Sequence, residues 1–155
     1  MEQNNYGINS SDELTVDPIS RERMDMLWMD AEELEVLQIA VEGKHEVFIG
    51  PEKGGSRKLT VTREDVEWAK SVDRIAAKAA KASSRHDFIT AIKYYKEALK
   101  LAPGADIYLM SIGSCYANMQ QLQEALLYLN RAHEISPNNR RVSKNLRLLE
   151  MTLNR

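Results

Sequence analysis

The sequence predicts an all-α chain of stacked antiparallel helical hairpins, and three observations support this fold class. A pattern of small residues and proline recurs at one constant offset: Ala91, Ala98 and Pro103 are matched by Ala125, Ala132 and Pro137. This repeat period is ~34 residues, within the range of roughly 20 to 50 that is typical of stacked supersecondary units. Apolar residues also recur every three or four positions over most of the chain, as on one face of a helix. Each proline follows an apolar helical stretch, where it ends the helix and turns the chain.

The N-terminal residues 1–18 are polar, rich in Asn, Ser, Asp and Glu, with few side chains that could be buried. This composition predicts a disordered tail. The tail lacks the basic start and apolar stretch of a secretory signal, so we expect a cytoplasmic protein. A single cysteine, Cys115, is consistent with a reducing compartment.

Residues 20–42 have the pattern of one amphipathic helix of about six turns, with Ser20 as its N-cap and Gly43 as its stop. Apolar side chains recur along one face: Met24, Leu27, Trp28, Leu34, Leu37 and Val41. The other face is acidic. A helix with these apolar groups exposed is not stable alone. We therefore expect this N-terminal docking helix either to pack on another element of the same chain or to pair two chains.

The next segment changes character. EVFI at 46–49 and KLTV at 58–61 are short, β-branched and apolar, and they flank a glycine-rich stretch. This pattern predicts a small β-hairpin with a long loop. Thr62 then caps a helix that is predicted to end near Ser83. The expected organisation is a disordered tail over 1–18, a helix plus hairpin over 19–62, and a helical-repeat domain over 63–155 whose last helix, 140–154, caps the stack.

Residues 106–139 contain large, small and aromatic residues at defined spacings: Leu109, Ile112, Gly113, Tyr116, Ala125, Leu129, Ala132 and Pro137. This pattern resembles the tetratricopeptide (TPR) repeat family. Residues 72–105 resemble it in their second helix, through Ala91, Tyr95, Ala98 and Pro103. Their first helix departs from it at Lys78 and Ala82, where a large residue and an aromatic residue are usual. Small residues such as Gly113 are expected where two helices approach closely.

The resemblance implies a concave groove that is lined by the first helix of each repeat and holds a helix or peptide of a partner protein. Carried over by position, the groove consists of Asp73, Ala76, Ala77, Ala80, Ile107, Met110, Ser111, Ser114, Asn118, Arg141, Lys144, Asn145 and Leu148. Some members clamp a carboxyl terminus with Lys and Asn in the first repeat. Ala76 and Ala80 stand at those positions, so that clamp is absent. A groove of Ala, Ser and Met suits an apolar helix face.

The residue pattern indicates no catalytic chemistry, no metal site and no cofactor. The three histidines, His45, His86 and His133, are dispersed and form none of the usual metal-ligand spacings. The glycine-rich stretch GPEKGGSRK departs from the phosphate-loop pattern, which needs Lys and Ser or Thr directly after the last Gly. No apolar run is long enough to span a membrane. Nucleic acid is an unfavourable partner, because the basic residues are not interleaved with aromatic ones.

Charge is unevenly distributed along the chain. Residues 1–50 contain 12 acidic and 3 basic residues, a net charge of −9, whereas residues 72–155 contain 13 basic and 7 acidic residues, a net charge of +6. Either the two surfaces differ by chance, or they attract each other or opposite partners.

These features favour a non-enzymatic adaptor or scaffold that binds a partner helix or peptide, with the docking helix occupying the groove in cis until a partner displaces it. Two alternatives stay open. The docking helix could pair two chains into a homodimeric assembly subunit. A cytoplasmic chaperone for secreted substrates would share this architecture, by analogy alone.

Overall fold

The structure is a computed structural model that describes residues 19–44, 47–49, 57–59 and 61–155. The predicted disordered tail over 1–18 lies outside these residues. The described part contains seven helices and two strands: α1 (Arg21–Leu27), α2 (Ala31–Glu42), β1 (Val47–Ile49), β2 (Arg57–Leu59), α3 (Arg63–Ser84), α4 (Phe88–Leu101), α5 (Asp106–Asn118), α6 (Leu122–Ile135) and α7 (Arg140–Leu153). The all-α class is confirmed.

The chain contacts divide the protein into two compact units. One unit is Ser20–Asp73, and the other contains Arg74–Arg155. The division falls inside α3, so each unit includes part of that helix. We call them the N-terminal unit and the repeat unit.

The docking helix is broken into two, so the prediction of one helix over 20–42 is wrong. Ser20 caps α1, since its hydroxyl accepts a hydrogen bond from the backbone N–H of Arg23 at 3.2 Å. Three residues separate α1 from α2, and Asp30 starts α2 with a reciprocal capping box. The backbone N–H of Glu33 donates to Asp30 Oδ1 at 2.8 Å, and that of Asp30 donates to Glu33 Oε2 at 2.9 Å. Because this box satisfies backbone N–H groups that a continuous helix would use, it favours a new start at Asp30.

The N-terminal unit has its own hydrophobic core. Five buried residues form it: Met26, Leu34, Leu37, Val66 and Ala69. Met29, Val41, Val61 and Trp68 are half-buried against them. The apolar faces of α1 and α2 therefore pack on the first turns of α3.

Asp65 connects α1 to the start of α3. Its backbone N–H donates to Thr62 Oγ1 at 3.2 Å, and its carboxylate accepts from the Thr62 backbone N–H at 2.9 Å. Arg23 Nε donates to the same carboxylate at 2.7 Å, and the Arg23 guanidinium lies 4.8 Å from the centre of the Trp68 ring. Burial alone would raise the pKa of Asp65, but these hydrogen bonds and the positive charge of Arg23 hold it below its usual value.

The two strands pair antiparallel, with Val47 opposite Leu59 and Ile49 opposite Arg57. This pairing is what the hairpin prediction requires. The glycine-rich stretch between them is GPEKGGSRK, and its residues 50–56 lie outside the described residues.

The repeat unit keeps the repeat period in its backbone. Helices α4 and α6 begin and end one period apart, and so do the starts of α5 and α7. The residue before α5, Ala105, has φ −65° and ψ 110°, and the residue before α7, Asn139, has φ −76° and ψ 109°. Helix α7 thus occupies the place of the first helix of a third repeat. It buries Val142, Leu146 and Leu149, as expected of a capping helix.

The turn inside each hairpin is also repeated. His86 and Gln120 stand one period apart, with positive φ angles of 61° and 62°. In both turns the next backbone N–H reaches back five residues, from Asp87 to the Ala82 carbonyl and from Gln121 to the Tyr116 carbonyl, at 2.9 Å in each case. This arrangement is a Schellman motif, in which a left-handed residue closes the helix.

The prediction that Gly113 marks a close helix contact is confirmed. A Cβ atom at this position would lie 2.8 Å from Leu129 Cγ and 3.2 Å from the carbonyl oxygen of Ala125. Glycine therefore lets α5 approach α6. Two stacked tyrosine pairs fill the remaining space: Tyr95 with Tyr108, and Tyr116 with Tyr128, whose ring centres are 6.1 and 5.5 Å apart.

Candidate protein-binding groove

Residues from three helices make up the predicted groove, and the structure places two of these helices side by side. Helix α5 carries Ile107, Met110, Ser111, Ser114 and Asn118, and α7 carries Arg141, Lys144, Asn145 and Leu148. Contacts join α5 to α7 within the repeat unit. The α3 residues Ala76, Ala77 and Ala80 also belong to the repeat unit, whereas Asp73 belongs to the N-terminal unit.

Ser114 lies at the junction of α5 and α7. Asn145 Nδ2 donates to Ser114 Oγ at 3.5 Å, a long hydrogen bond, and Asn118 Nδ2 donates to the Ser114 carbonyl at 2.8 Å. The positions 141, 144, 145 and 148 follow helical spacing, so they share one face of α7. Asn145 on this face contacts Ser114, so the face borders α5 at that point, while Arg141, Lys144 and Leu148 remain exposed.

Ser111 continues this polar line along α5. Its Oγ donates to the Ile107 carbonyl at 2.8 Å. Burial raises the pKa of Tyr95, and a hydrogen bond between Tyr95 and Ser111 acts in the opposite direction. The hydroxyl of Ser111 is therefore tied to the packing of α4 against α5.

The predicted groove residues differ in how much surface they offer. Leu148 is 53% exposed. Five other groove residues are exposed as well: Ala77, Ala80, Asn118, Arg141 and Lys144. Ile107, Ser111, Ser114, Asn145 and Asp73 are half-buried. Ala76 and Met110 are buried, so they act as core residues beneath the surface.

A buried pair next to the groove escaped sequence reasoning. Asp106, the first residue of α5, is only 1% exposed, and its carboxylate accepts a hydrogen bond from Asn139 Nδ2 at 3.1 Å. The Oδ1 atom of Asn139 also accepts from the backbone N–H of Arg141 at 3.0 Å, capping α7. The 33-residue separation in the pair is close to the repeat period, and this is the signal that could have linked them.

The remaining chemistry of the described residues is sparse. Burial raises the pKa of the Cys115 thiol, although a hydrogen bond with Ser83 opposes this effect. A protonated, buried thiol is a poor nucleophile. In the parts of the chain that the structure describes, no three His, Cys, Asp or Glu residues gather where they could hold a metal ion. No helix there is long and apolar enough to cross a membrane.

The residues of the predicted docking helix lie in the N-terminal unit. Leu27, Leu34 and Leu37 are buried, and Met24, Trp28 and Val41 are half-buried. Sequence reasoning missed Met26, which is fully buried. A continuous helix would have pointed Met26 away from the stripe, and the break after Leu27 removes that constraint.

Comparison with protein families agrees with this geometry. Residues 107–139 match the model described as Tetratricopeptide repeat, which covers α5, α6 and the turn after them. This part of the chain is a tetratricopeptide repeat, and the fold is an all-α solenoid of the TPR type. A search of curated proteins finds no match to the chain. Tetratricopeptide repeats are in general non-enzymatic units that bind other proteins, so the chain contains a protein-interaction repeat.

Proposed function

We propose that the protein is an adaptor whose groove, along α5 and α7, binds an apolar helix of a partner protein. The contact of Asn145 with Ser114 carries this proposal, because it sets the face of Lys144 and Leu148 beside the small polar side chains of α5. Helix-in-groove recognition uses a line of apolar anchors on the bound helix. The exposed Leu148 supplies an apolar contact for such an anchor.

The charges at the rim define the partner further. Arg141 and Lys144 add positive charge to the groove face of α7. Acidic residues flanking the apolar face of the partner would complement them and speed association, with the affinity depending on salt. The partner proposed is therefore an amphipathic helix with an acidic border.

The groove is tested by selection from a phage library of amphipathic helical peptides against the full chain, followed by fluorescence anisotropy with the enriched peptides. Leu148→Gln is expected to weaken binding about tenfold, since a buried leucine contributes about 1.5–3 kcal/mol. Lys144→Glu is expected to weaken acidic peptides further. Ile135→Gln is the matched control, because Ile135 is 40% exposed on α6, outside the groove. Enriched peptides that bind the Leu148 and Lys144 variants as tightly as the parent would contradict the proposal.

The N-terminal unit has a separate role in this proposal. The packing of α1 and α2 on Val66 and Ala69 supports cis docking of the N-terminal helices on α3. Lys70 Nζ on α3 lies 2.6 Å from Glu35 Oε2 on α2 and also hydrogen-bonds to Gln38 on α2. An ion pair therefore joins α2 to α3 beside the apolar contact. In this role the helices protect the apolar start of α3.

Self-association through the N-terminal unit is the second candidate. Val36 and Ile39 are one turn apart on α2, and 63% and 62% of their surface is exposed. A dimer through α2 would bury this pair. Light scattering of the full chain and of Val36→Ser with Ile39→Ser decides this question: a dimer that becomes a monomer favours assembly, and a monomer in both cases excludes it.

A further inference from the structure

A second concave surface lies between α4, α5 and the turn before α6. It has a volume of about 420 Å³. Helix α4 contributes Ile89, Ile92, Lys93 and Lys96, and the end of α5 with the following turn contributes Tyr116, Met119 and Gln121. We call it the α4–α5 cleft. It shares no residue with the groove.

The cleft combines an apolar floor with positive charge. Ile92 and Tyr116 are buried at its base, while Ile89 at its rim is 76% exposed. Two of the lining residues, Lys93 and Lys96, are basic, and none is acidic. An anionic group bound there would meet two ammonium groups and no lining carboxylate.

The lysines are a particular property of the first repeat. Positions 89, 92, 93 and 96 follow helical spacing and share one face of α4. The equivalent positions of the second repeat, one period later, hold Gln123, Leu126, Leu127 and Asn130, with no charged residue. The repeat fold therefore does not require lysine on this face.

Two further observations are consistent with a bound anion. Burial lowers the pKa of Lys96, and a bound carboxylate would offset the cost of removing this ammonium group from water. Gln121, the N-cap of α6, makes no capping hydrogen bond with its side chain, whereas Asp87 at the same place in the first repeat caps Thr90. The amide of Gln121 is not used to start its helix.

We propose that the α4–α5 cleft binds an extended acidic segment of a partner protein, in which a carboxylate stands next to a large apolar side chain. The carboxylate accepts hydrogen bonds from Lys93 and Lys96, and the apolar side chain covers Ile89 and Met119. Sites for small molecules usually bury about 70–90% of the ligand surface. The exposed rim at Ile89 fits a chain segment that crosses the cleft better than an enclosed small molecule.

The cleft is tested by nuclear magnetic resonance on the nitrogen-15-labelled full chain. One pool of synthetic peptides alternates Asp or Glu with Leu, Ile or Phe, and a matched pool has Asn or Gln in place of the acids. Saturable shifts of the Lys93, Lys96 and Met119 amides with the acidic pool alone are the expected result. No shift with either pool, or equal shifts with both, overturns the proposal. Laurate is titrated as a third probe, and shifts with laurate but with neither pool would assign the cleft to a small anionic amphiphile and also overturn it.

Substitutions of individual cleft residues test which side chains contribute to peptide affinity. Lys93→Glu combined with Lys96→Glu is expected to weaken binding of the acidic peptides about tenfold or more, because both donors to the carboxylate are replaced by groups of like charge. Lys100→Glu, on the same helix and outside the cleft, changes net charge in the same direction and is expected to leave affinity within about twofold. Ile89→Gln changes an exposed residue and leaves both lysines in place. It is expected to weaken binding about threefold or more, because the apolar contact is lost. Unchanged affinity in Ile89→Gln and in the lysine variant contradicts the proposal.

Discussion

The side-chain amide of Asn139 makes hydrogen bonds to two helices, α5 and α7. Its oxygen caps α7, and its nitrogen donates to the buried carboxylate of Asp106 at the start of α5. The side chain therefore links the start of α5 to the start of α7 as well as capping α7. The backbone N–H of Ile107 also donates to the Asp106 carboxylate, at 2.8 Å. Loss of the Asn139 donor would leave this buried carboxylate with fewer hydrogen bonds, which costs more than an exposed bond contributes.

Asn139→Asp is expected to lower the free energy of unfolding by about 2 kcal/mol or more at neutral pH. Aspartate keeps the capping oxygen, but it removes the donor and sets a second carboxylate beside Asp106. Urea denaturation followed by circular dichroism measures the change. Asn139→Ser is the control, because serine also caps a helix and adds no charge. Serine lacks the amide donor as well, so equal stability of Asn139→Asp and Asn139→Ser would show that a second carboxylate beside Asp106 has no energetic cost.

Asp73 is placed unfavourably for an ionised group. Burial and the nearby carboxylate of Asp30 raise the pKa of Asp73 above its ordinary value of 3.8. The folded protein then binds a proton more readily than the unfolded chain. Its stability therefore falls as pH rises from the ordinary value through the folded-state value.

Asp73→Asn is accordingly expected to stabilise the chain at about pH 7 and to have little effect at about pH 3, where the aspartate is protonated in both states. Urea denaturation at the two pH values gives the comparison. A stabilisation of equal size at both values would show that charge is not the cause.

The turns show which helix ends sequence reasoning can find. Pro103 and Pro137 follow α4 and α6, and both were recognised from the sequence. The ends of α3 and α5 are closed by His86 and Gln120 at positive φ, where glycine is the usual residue. Histidine and glutamine are much weaker signals of a left-handed conformation than glycine, so the regular spacing of these two turns is recognised only in the backbone.

The same limit explains the break between α1 and α2. The apolar spacing from Met24 to Val41 fits one helix, and no glycine or proline interrupts it. The sequence contains the residues of the capping box, Asp30 and Glu33. Because other acidic residues surround them, the pattern is interpreted as part of a solvated acidic face. Sequence reasoning could assign groove residues only by their position in the repeat, and it could not tell which of them are exposed. In the structure Met110 is buried in the core and Leu148 is exposed.

Gly113→Ala is expected to destabilise the repeat unit by about 1–3 kcal/mol. Alanine is the better helix former by about 1 kcal/mol, but its Cβ would lie 2.8 Å from Leu129 Cγ. Thermal and urea unfolding measure the net effect. Leu129→Ala tests the cause, since in a double-mutant cycle it is expected to relieve part of the penalty. A stabilising Gly113→Ala would mean that α5 and α6 can move apart without cost.

Asp65→Ala is expected to destabilise the N-terminal unit by about 1–2 kcal/mol at neutral pH. It removes the carboxylate that accepts from the Thr62 backbone N–H, which is half of the capping box of α3, together with the pair to Arg23. Because the pKa of Asp65 is lowered in the folded state, its contribution is present at neutral pH and is lost as pH falls below the ordinary value of 3.8. Glu64→Ala, an exposed acid in the same turn, is the control for charge near the helix start. An equal loss in both variants would assign the effect to the helix dipole alone.

At the scale of the whole molecule, the two units differ in what they contain. The N-terminal unit uses α1 and α2 to bury Val66 and Ala69. The repeat unit contains α5 and α7, which carry most residues of the proposed groove, and the residues that line the α4–α5 cleft. Part of the acidic charge of residues 1–50 is compensated within the N-terminal unit itself, where Glu35 pairs with Lys70.

Removal of residues 1–43 is expected to expose the apolar start of α3 and to cause self-association. Val66 and Ala69 are almost completely buried in the full chain, and exposed apolar surface of this kind drives aggregation. Light scattering of the full and truncated chains at matched concentrations measures mass. A truncated chain with the same association state and the same α3 helicity as the full chain would show that α1 and α2 are dispensable for folding.

The closely similar backbone before α5 and α7 makes the solenoid extensible. A second copy of residues 106–139, inserted in frame after Asn139, would meet the same entry angles at both junctions. Each copy would bring its own Asp106 to pair with the asparagine that closes it. Residues 106–139 are therefore expected to behave as a cassette that gene duplication or a protein engineer could insert to lengthen the molecule.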